Sequence, residues 1–398
     1  MKINKLHYIF IIISFFSYSC IEEFTPKGVE EMSNILVVDG MITNEITTIK
    51  LSKSVGLYDE ISNIKIVNNA EVTVESDNGK TFEAIEITSG GEYIIPTGNL
   101  LTDTKYRLKI KLDGNEYESN FMSPLITPSI DSIYVYKENE GRPVYVTVST
   151  HNTESDETGY YLWSYEEIWE VRSYLYSQIG FVLEIDPLYD DKSLATRNPN
   201  GYFVYYDNSD GPYYNEGWRC WRYAESNSLM LGSSEKLKEN RIVNQKLHQK
   251  DPSDNRFSIL YYTKIYQKSL RKEAYDYLSN LQKNVESTGS IFGPIPSEMK
   301  GNITCTTDPN IHVIGYVEVS TTVVLDKFVG SSMYEIPYKD CPEVEAQNIE
   351  EDSWTYKYLP YYIYRVGMTD KVMYAPKECL DCRLDKENTK IKPSFWPN

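Results

Sequence analysis

Between residues 35 and 121 the chain is cut into short runs in which β-branched and apolar residues alternate with polar ones, each closed by turn formers. The runs fall at 35–38, 47–51, 70–75, 81–87, 92–95, 106–112 and 116–121. A period of two sends successive side chains to opposite faces of a strand, whereas a helix needs a period near 3.6. Asp77-Asn78-Gly79, Ser89-Gly90-Gly91 and Asp113-Gly114-Asn115 supply residues that accept positive φ in tight hairpin turns. Seven short strands so joined predict an Ig-like or transthyretin-like β-sandwich over residues 34–125. Two prolines at 123–128 (SPLITP) mark its end.

Residues 126–398 predict a larger, β-rich domain. The runs 133–136 and 144–149 read as strands, and so does 160–171 (YYLWSYEEIWEV). As a strand, that last run puts Tyr161, Trp163, Tyr165, Glu167, Trp169 and Val171 on one face. Between 172 and 217 the pattern gives no element. Leu270, Ala274, Tyr277, Leu278, Leu281 and Val285 then recur at helical spacing, which predicts a helix near 269–287. Ser269 stands where a cap belongs, Glu273 lies in the first turn, and Gly289 and Pro294 end the helix. Strands resume at 312–318 and 321–328. The fold class is therefore mainly β with a minor α part: an N-terminal sandwich followed by a larger β-rich domain carrying a helical insertion.

The N-terminus reads as an export signal. Lys2 and Lys5 precede an apolar stretch at 8–16, and the small residues Ser17 and Ser19 flank Tyr18 just before Cys20. The stretch is too short to span a bilayer as a finished helix. A cysteine at that point resembles a lipobox, so residues 1–19 are read as a lipoprotein signal peptide and Cys20 as the lipidated residue. Acyl chains there would anchor the protein firmly. Residues 20–33, acidic and carrying Pro26 and Gly28, read as a tether. Ile21-Glu22-Glu23 resembles the acidic signals that send lipoproteins to the outer face of the outer membrane, which gives the expected location. The formal net charge of −18 argues against nucleic acid and anionic lipid surfaces as partners. Membrane contact is expected through the lipid anchor only.

With Cys20 lipidated, Cys220, Cys305, Cys341, Cys379 and Cys382 remain as candidate disulfide cysteines in an oxidising compartment. Their number is odd, so at least one thiol is free or pairs outside the chain, and spacing alone leaves the pairing open. Cys379-Leu380-Asp381-Cys382 has C-x-x-C spacing, yet no second ligand pair completes a zinc site and no βαβ pattern supports a redox motif. No H-E-x-x-H, G-x-S-x-G or Walker loop is present. Glu166 and Glu167, adjacent on a strand, point to opposite faces and do not flank one bond. Residues 207–211 read as a turn rather than a calcium loop. No catalytic residue, metal site or cofactor follows from the sequence.

Tyrosine is the compositional anomaly, 35 of 398 residues. Aromatics crowd into 201–223, nine of 23 positions, and into 354–367, six of 14. Tyr and Trp offer large contact area with few rotors and a polar tip, the chemistry of binding hot spots. Tyr205, Tyr206, Tyr213, Tyr214, Trp218 and Trp221 are accordingly the candidate binding aromatics, for a small ligand, a peptide or a glycan.

Several passages together are similar to the Bacteroidota outer-membrane lipoproteins grouped as domain of unknown function 4249. They are 36–43 (LVVDGMIT), 70–74 (AEVTV), 130–133 (IDSI), Cys220-Trp221-Arg222, Gly289-Ser290-Ile291-Phe292, Gly301-Asn302 and Val313-Ile314-Gly315-Tyr316. The closing Cys379 to Cys382 and Lys392-Pro393-Ser394-Phe395-Trp396 complete the set. The resemblance implies a companion of a TonB-dependent outer-membrane transporter and offers no catalytic residues. The expected function is a non-enzymatic accessory lipoprotein that captures substrate or closes the transporter's outer mouth. The alternative is a glycan-binding or adhesive surface module.

Overall fold

A computed structural model describes residues 34–55, 65–152, 158–175, 179–182, 195–198, 201–205, 217–287, 301–335, 341, 344–345, 363–365, 372–374, 376 and 379–397. The signal, Cys20, the tether, 207–211, Gly289 and Pro294 lie outside the described residues, as does all of the 354–367 cluster except the backbone of 363–365. The fold is mainly β, with one α-helix among the described residues.

The alternating runs form two facing sheets. One carries Leu36–Met41, Glu45–Lys53, Glu92–Gly98 and Glu86–Ile87 side by side, and the other carries Asn115–Ser119, Tyr106–Leu112, Glu71–Ser76 and Thr81–Glu83. Ile49, Leu51, Ile95, Leu108 and Ile110 point inward and are buried, together with Tyr93. The tightest hairpin pairs Leu112 with Asn115 across Asp113 (φ 52°) and Gly114 (φ 81°), the two positive φ values that a two-residue turn of this hand requires.

Residues 34–125 alone do not complete this sandwich. Ile303–Cys305 adds to the edge of the second sheet beside Asn115–Ser119, and Val313–Ile314 pairs in parallel with Leu36–Met41. Val317 and Val319 from the same returning segment are buried in the sandwich core. The division drawn at residue 126 thus misses strands that come back from far along the chain.

The second unit is also two sheets face to face. Ile130–Lys137, Val144–His151 and Arg241–Lys250 form the smaller one. The larger runs Thr322–Gly330, Leu260–Leu270, Tyr160–Arg172, Arg219–Glu225 and Asn388–Thr389, with Met230–Ser233 also paired to Tyr160–Arg172. Tyr161, Trp163, Tyr165, Trp169 and Val171 share the inner face as the period of two requires, packed with Val144, Val146, Val148 and Ile265. Trp163 Nε1 donates to Gln267 Oε1 at 2.8 Å, so the largest indole of the core is not left unsatisfied.

The helix spans Lys272–Ser287 with Glu273 in its first turn. Ser269 is not its cap. It belongs to the strand Leu260–Leu270, and its N–H donates to Thr127 Oγ1 at 2.9 Å. The helical ladder starts two residues later, where the Arg271 carbonyl accepts from the Tyr275 N–H.

Cys220 bonds Cys382 and Cys341 bonds Cys379, while Cys305 is a buried free thiol. The two cysteines of the C-x-x-C passage therefore secure different segments instead of pairing with each other. Beyond Cys382 the tail lies on the outer face of the larger sheet. Trp396 packs there with Ile168, Trp221 and Tyr262, and its Nε1 donates to Glu170 Oε2 at 3.3 Å. Burial works to raise the Glu170 carboxyl, but Arg219 and Arg172 outweigh it and hold the group below its ordinary range.

Candidate ligand-binding cleft

The two β units meet along a cleft of about 840 Å³. Its walls follow from strand alternation. In Leu36–Met41, Leu36 and Val38 face the first core, which turns Val37, Asp39 and Met41 outward into the cleft. In Glu45–Lys53, Thr47, Ile49 and Leu51 are buried, so Ile46 and Thr48 line the same wall. Opposite stands the outer face of Leu260–Leu270. There Ile265 and Gln267 point into the second core, and Lys264, Tyr266, Lys268 and Leu270 point into the cleft.

The helix closes one side with Ala274, Tyr277, Leu278 and Leu281, four members of its apolar stripe. The returning segment closes another with Ile314, Gly315, Tyr316 and Glu318. Gly315 is required there: its φ is +151°, and a Cβ would stand 2.4 Å from the Val38 carbonyl oxygen. Asn302 fixes the same segment by exchanging two hydrogen bonds of 2.8 Å with the Val317 backbone. At the mouth, Ile46 is 58% exposed and Val324 42%.

Several polar groups of the cleft are already engaged. The Tyr266 hydroxyl donates to Glu166 Oε1 at 2.6 Å, and burial followed by that carboxylate raises its pKa. Tyr277 bonds the Gly315 backbone, and its ring lies 5.8 Å from that of Tyr316. Burial pushes the Tyr316 hydroxyl up to about 12. Glu318 is buried at the seam of the two units, where it accepts from the Val319 N–H at 2.8 Å and pairs with Arg271. Burial still raises its pKa. Lys268 differs. Its ammonium has no hydrogen bond or ion pair with any described residue, burial lowers its pKa, and the charge acting to keep it protonated is that of Asp39 across the cleft.

A second polar cluster is sealed inside the larger unit. Glu167 accepts from the Tyr261 hydroxyl at 2.5 Å and from Arg256 Nη1 at 2.7 Å, and His248 Nε2 lies 3.4 Å from its Oε1. Glu166 and Glu167 do take opposite faces, one toward the cleft side and one into the core. Among the described residues, no group of three or more His, Cys, Asp or Glu is arranged to hold a metal ion. No helix of the described residues is long and apolar enough to cross a membrane.

Trp218 and Trp221, the two candidate binding aromatics whose side chains are described, do not line this cleft. Tyr206, Tyr213 and Tyr214 lie outside the described residues, and of Tyr205 only the backbone, in the strand Gly201–Tyr205, is described. Trp218 is half-buried with the Arg172 guanidinium 5.7 Å from its ring. Trp221 is 5% exposed and packs in the core under the C-terminal tail, so it offers no face to a ligand. At Trp221 the aromatic side chain serves a strand, where half-buried positions also favour aromatics.

The cleft residues missed by that reading were visible only piecewise. Asp39 interrupts an apolar strand, and Lys264 and Lys268 share a face of 260–270, but four separate segments must fold together before they meet. A family model described as Domain of unknown function (DUF4249) matches residues 21–325, a span that includes every residue lining the cleft. No curated protein matches the chain.

Proposed function

The chain belongs to the family described as Domain of unknown function (DUF4249), and from that premise we propose a lipid-anchored outer-membrane protein that captures cargo for a TonB-dependent transporter. The carrying observation is the cleft. Its volume of about 840 Å³ is that of a small-molecule site, and it lies at the seam of two β units, where such sites tend to form. Both units contribute walls, so a ligand there would contact the pair.

Anchoring supplies the rest. Acylation of Cys20 would hold the body to the membrane by a tether reaching at most about 50 Å when fully extended. Confinement to that layer raises the local concentration of the protein beside a barrel in the same membrane. The reading assigns the chain no reaction.

Labelling with a palmitate analogue and affinity capture from outer membranes test it. The expected result is label on the wild type, none on Cys20→Ser, and a TonB-dependent transporter recovered with the labelled chain. Recovery of the labelled chain without a transporter, together with unchanged uptake in a deletion strain, would overturn the transporter role. Absence of label would overturn the anchor.

A further inference from the structure

We propose that the cleft binds an aliphatic carboxylate of the fatty-acid class, its carboxylate on Lys268 and its chain along the helix. The inference rests on the cleft being the binding site of the reading above, and it names the cargo. Lys268 projects from the strand Leu260–Leu270 between Tyr266 and Leu270, enclosed by the helix and by Leu36–Met41. The half-buried Lys268 lines the cleft, and its ammonium makes no hydrogen bond or ion pair with any described residue. An anionic head brought to it would supply the missing acceptor.

The other polar groups narrow the choice. Tyr266 is committed to Glu166, and Glu318 to Arg271 and the Val319 N–H. The Lys264 ammonium stands 4.9 Å from the Tyr266 ring centroid. Asp39 opposes Lys268, so a dianion such as a phosphate would meet about twice the repulsion that a single carboxylate meets. Along the helix side the wall is hydrocarbon, with Met41, Leu162, Leu278, Leu281 and Ile314, whereas Thr43, Asn44, Glu45, Thr48 and Thr322 line the other side. That apolar side favours burial of an alkyl chain against the helix. The two tyrosines best placed to stack on a sugar, Tyr277 and Tyr316, turn toward each other instead.

Calorimetric titration of dodecanoate tests this on the chain from residue 20 onward carrying Cys20→Ser, which holds every described residue and no competing acyl group. One dodecanoate should bind per chain. Lys268→Met should weaken it about tenfold or more, the scale of a lost charge-assisted hydrogen bond, while leaving dodecanol binding unchanged. Lys268→Arg should restore most of the affinity. Leu278→Trp, which fills the cleft from the helix side, should abolish binding of both ligands with the thermal midpoint retained. Absence of dodecanoate binding, equal preference for dodecyltrimethylammonium, or indifference to Lys268→Met would overturn the proposal. The titration contains no membrane and no transporter, so its failure leaves the capture experiment standing, and the reverse also holds.

Discussion

His248 packs against Tyr165 with ring centroids 4.3 Å apart and the rings tilted, and burial pushes its pKa down to about 4. Glu167 pulls the other way, and Lys250 and Arg256 add to the depression. In the unfolded chain the same imidazole titrates near 6.5. As pH falls from 6.5 toward 4, the unfolded state therefore takes up a proton that the folded state refuses. The stability present above pH 6.5 is lost across that window, by about 3 kcal/mol. His248→Gln should flatten urea-unfolding stability between pH 7 and 4, and an unchanged slope would show that another group controls it. The Glu318–Arg271 pair makes a different prediction. Arg271→Met leaves a buried carboxylate without its cation and should cost about 3 kcal/mol in chemical unfolding. Adding Glu318→Gln should recover more than half of that loss, because the second change removes the stranded charge.

The segment 301–320 ties the two units together at the scale of elements. It adds an edge to each sheet of the first sandwich, then bridges Ile42 to Val319 and Leu125 to Ser320 before entering the strand Thr322–Gly330. Gly315→Ala should destabilise the chain by about 2–4 kcal/mol, from the positive φ and the approach to Val38, read as a lowered denaturant midpoint. The hairpins of the first sandwich were legible because each pairs neighbours in sequence across a turn such as Asp113-Gly114. The inner face of 160–171 was legible for the same local reason, its period of two. The return of Val313–Ile314 was not, since a two-residue parallel pairing with a strand at the opposite end of the sequence leaves no local periodicity. Leu260–Leu270 escaped notice because its buried face carries Thr263 and Gln267 beside Tyr261 and Ile265, which blurs the apolar–polar alternation that marks a half-buried strand.

The whole molecule depends on contacts that only tertiary structure brings together. Cys220 and Cys382 are separated by 162 residues, and their bond fixes the tail that carries Asn388–Thr389 and Trp396 onto the larger sheet. Replacing both by alanine should cost about 3 kcal/mol and expose Trp396, measurable as a lower unfolding midpoint with a shift in tryptophan emission. The cleft is the functional counterpart of this non-local assembly. Its helix stripe was legible from spacing, but Lys268, Asp39, Tyr266 and Tyr316 acquire meaning only once the first sandwich, the central strand, the helix and the returning segment share one seam. The aromatic clusters drew attention in the sequence because composition is visible without a fold, and Trp221 proved to be core. The proposed role brings the mouth of this cleft against a transporter in the membrane. Ile46 lines that mouth and is exposed, so a photo-crosslinking residue placed there in living cells reads that contact directly. The expected result is an adduct with a TonB-dependent transporter that disappears with Cys20→Ser; a lipidated, correctly folded chain that yields no transporter adduct would contradict the proposed role.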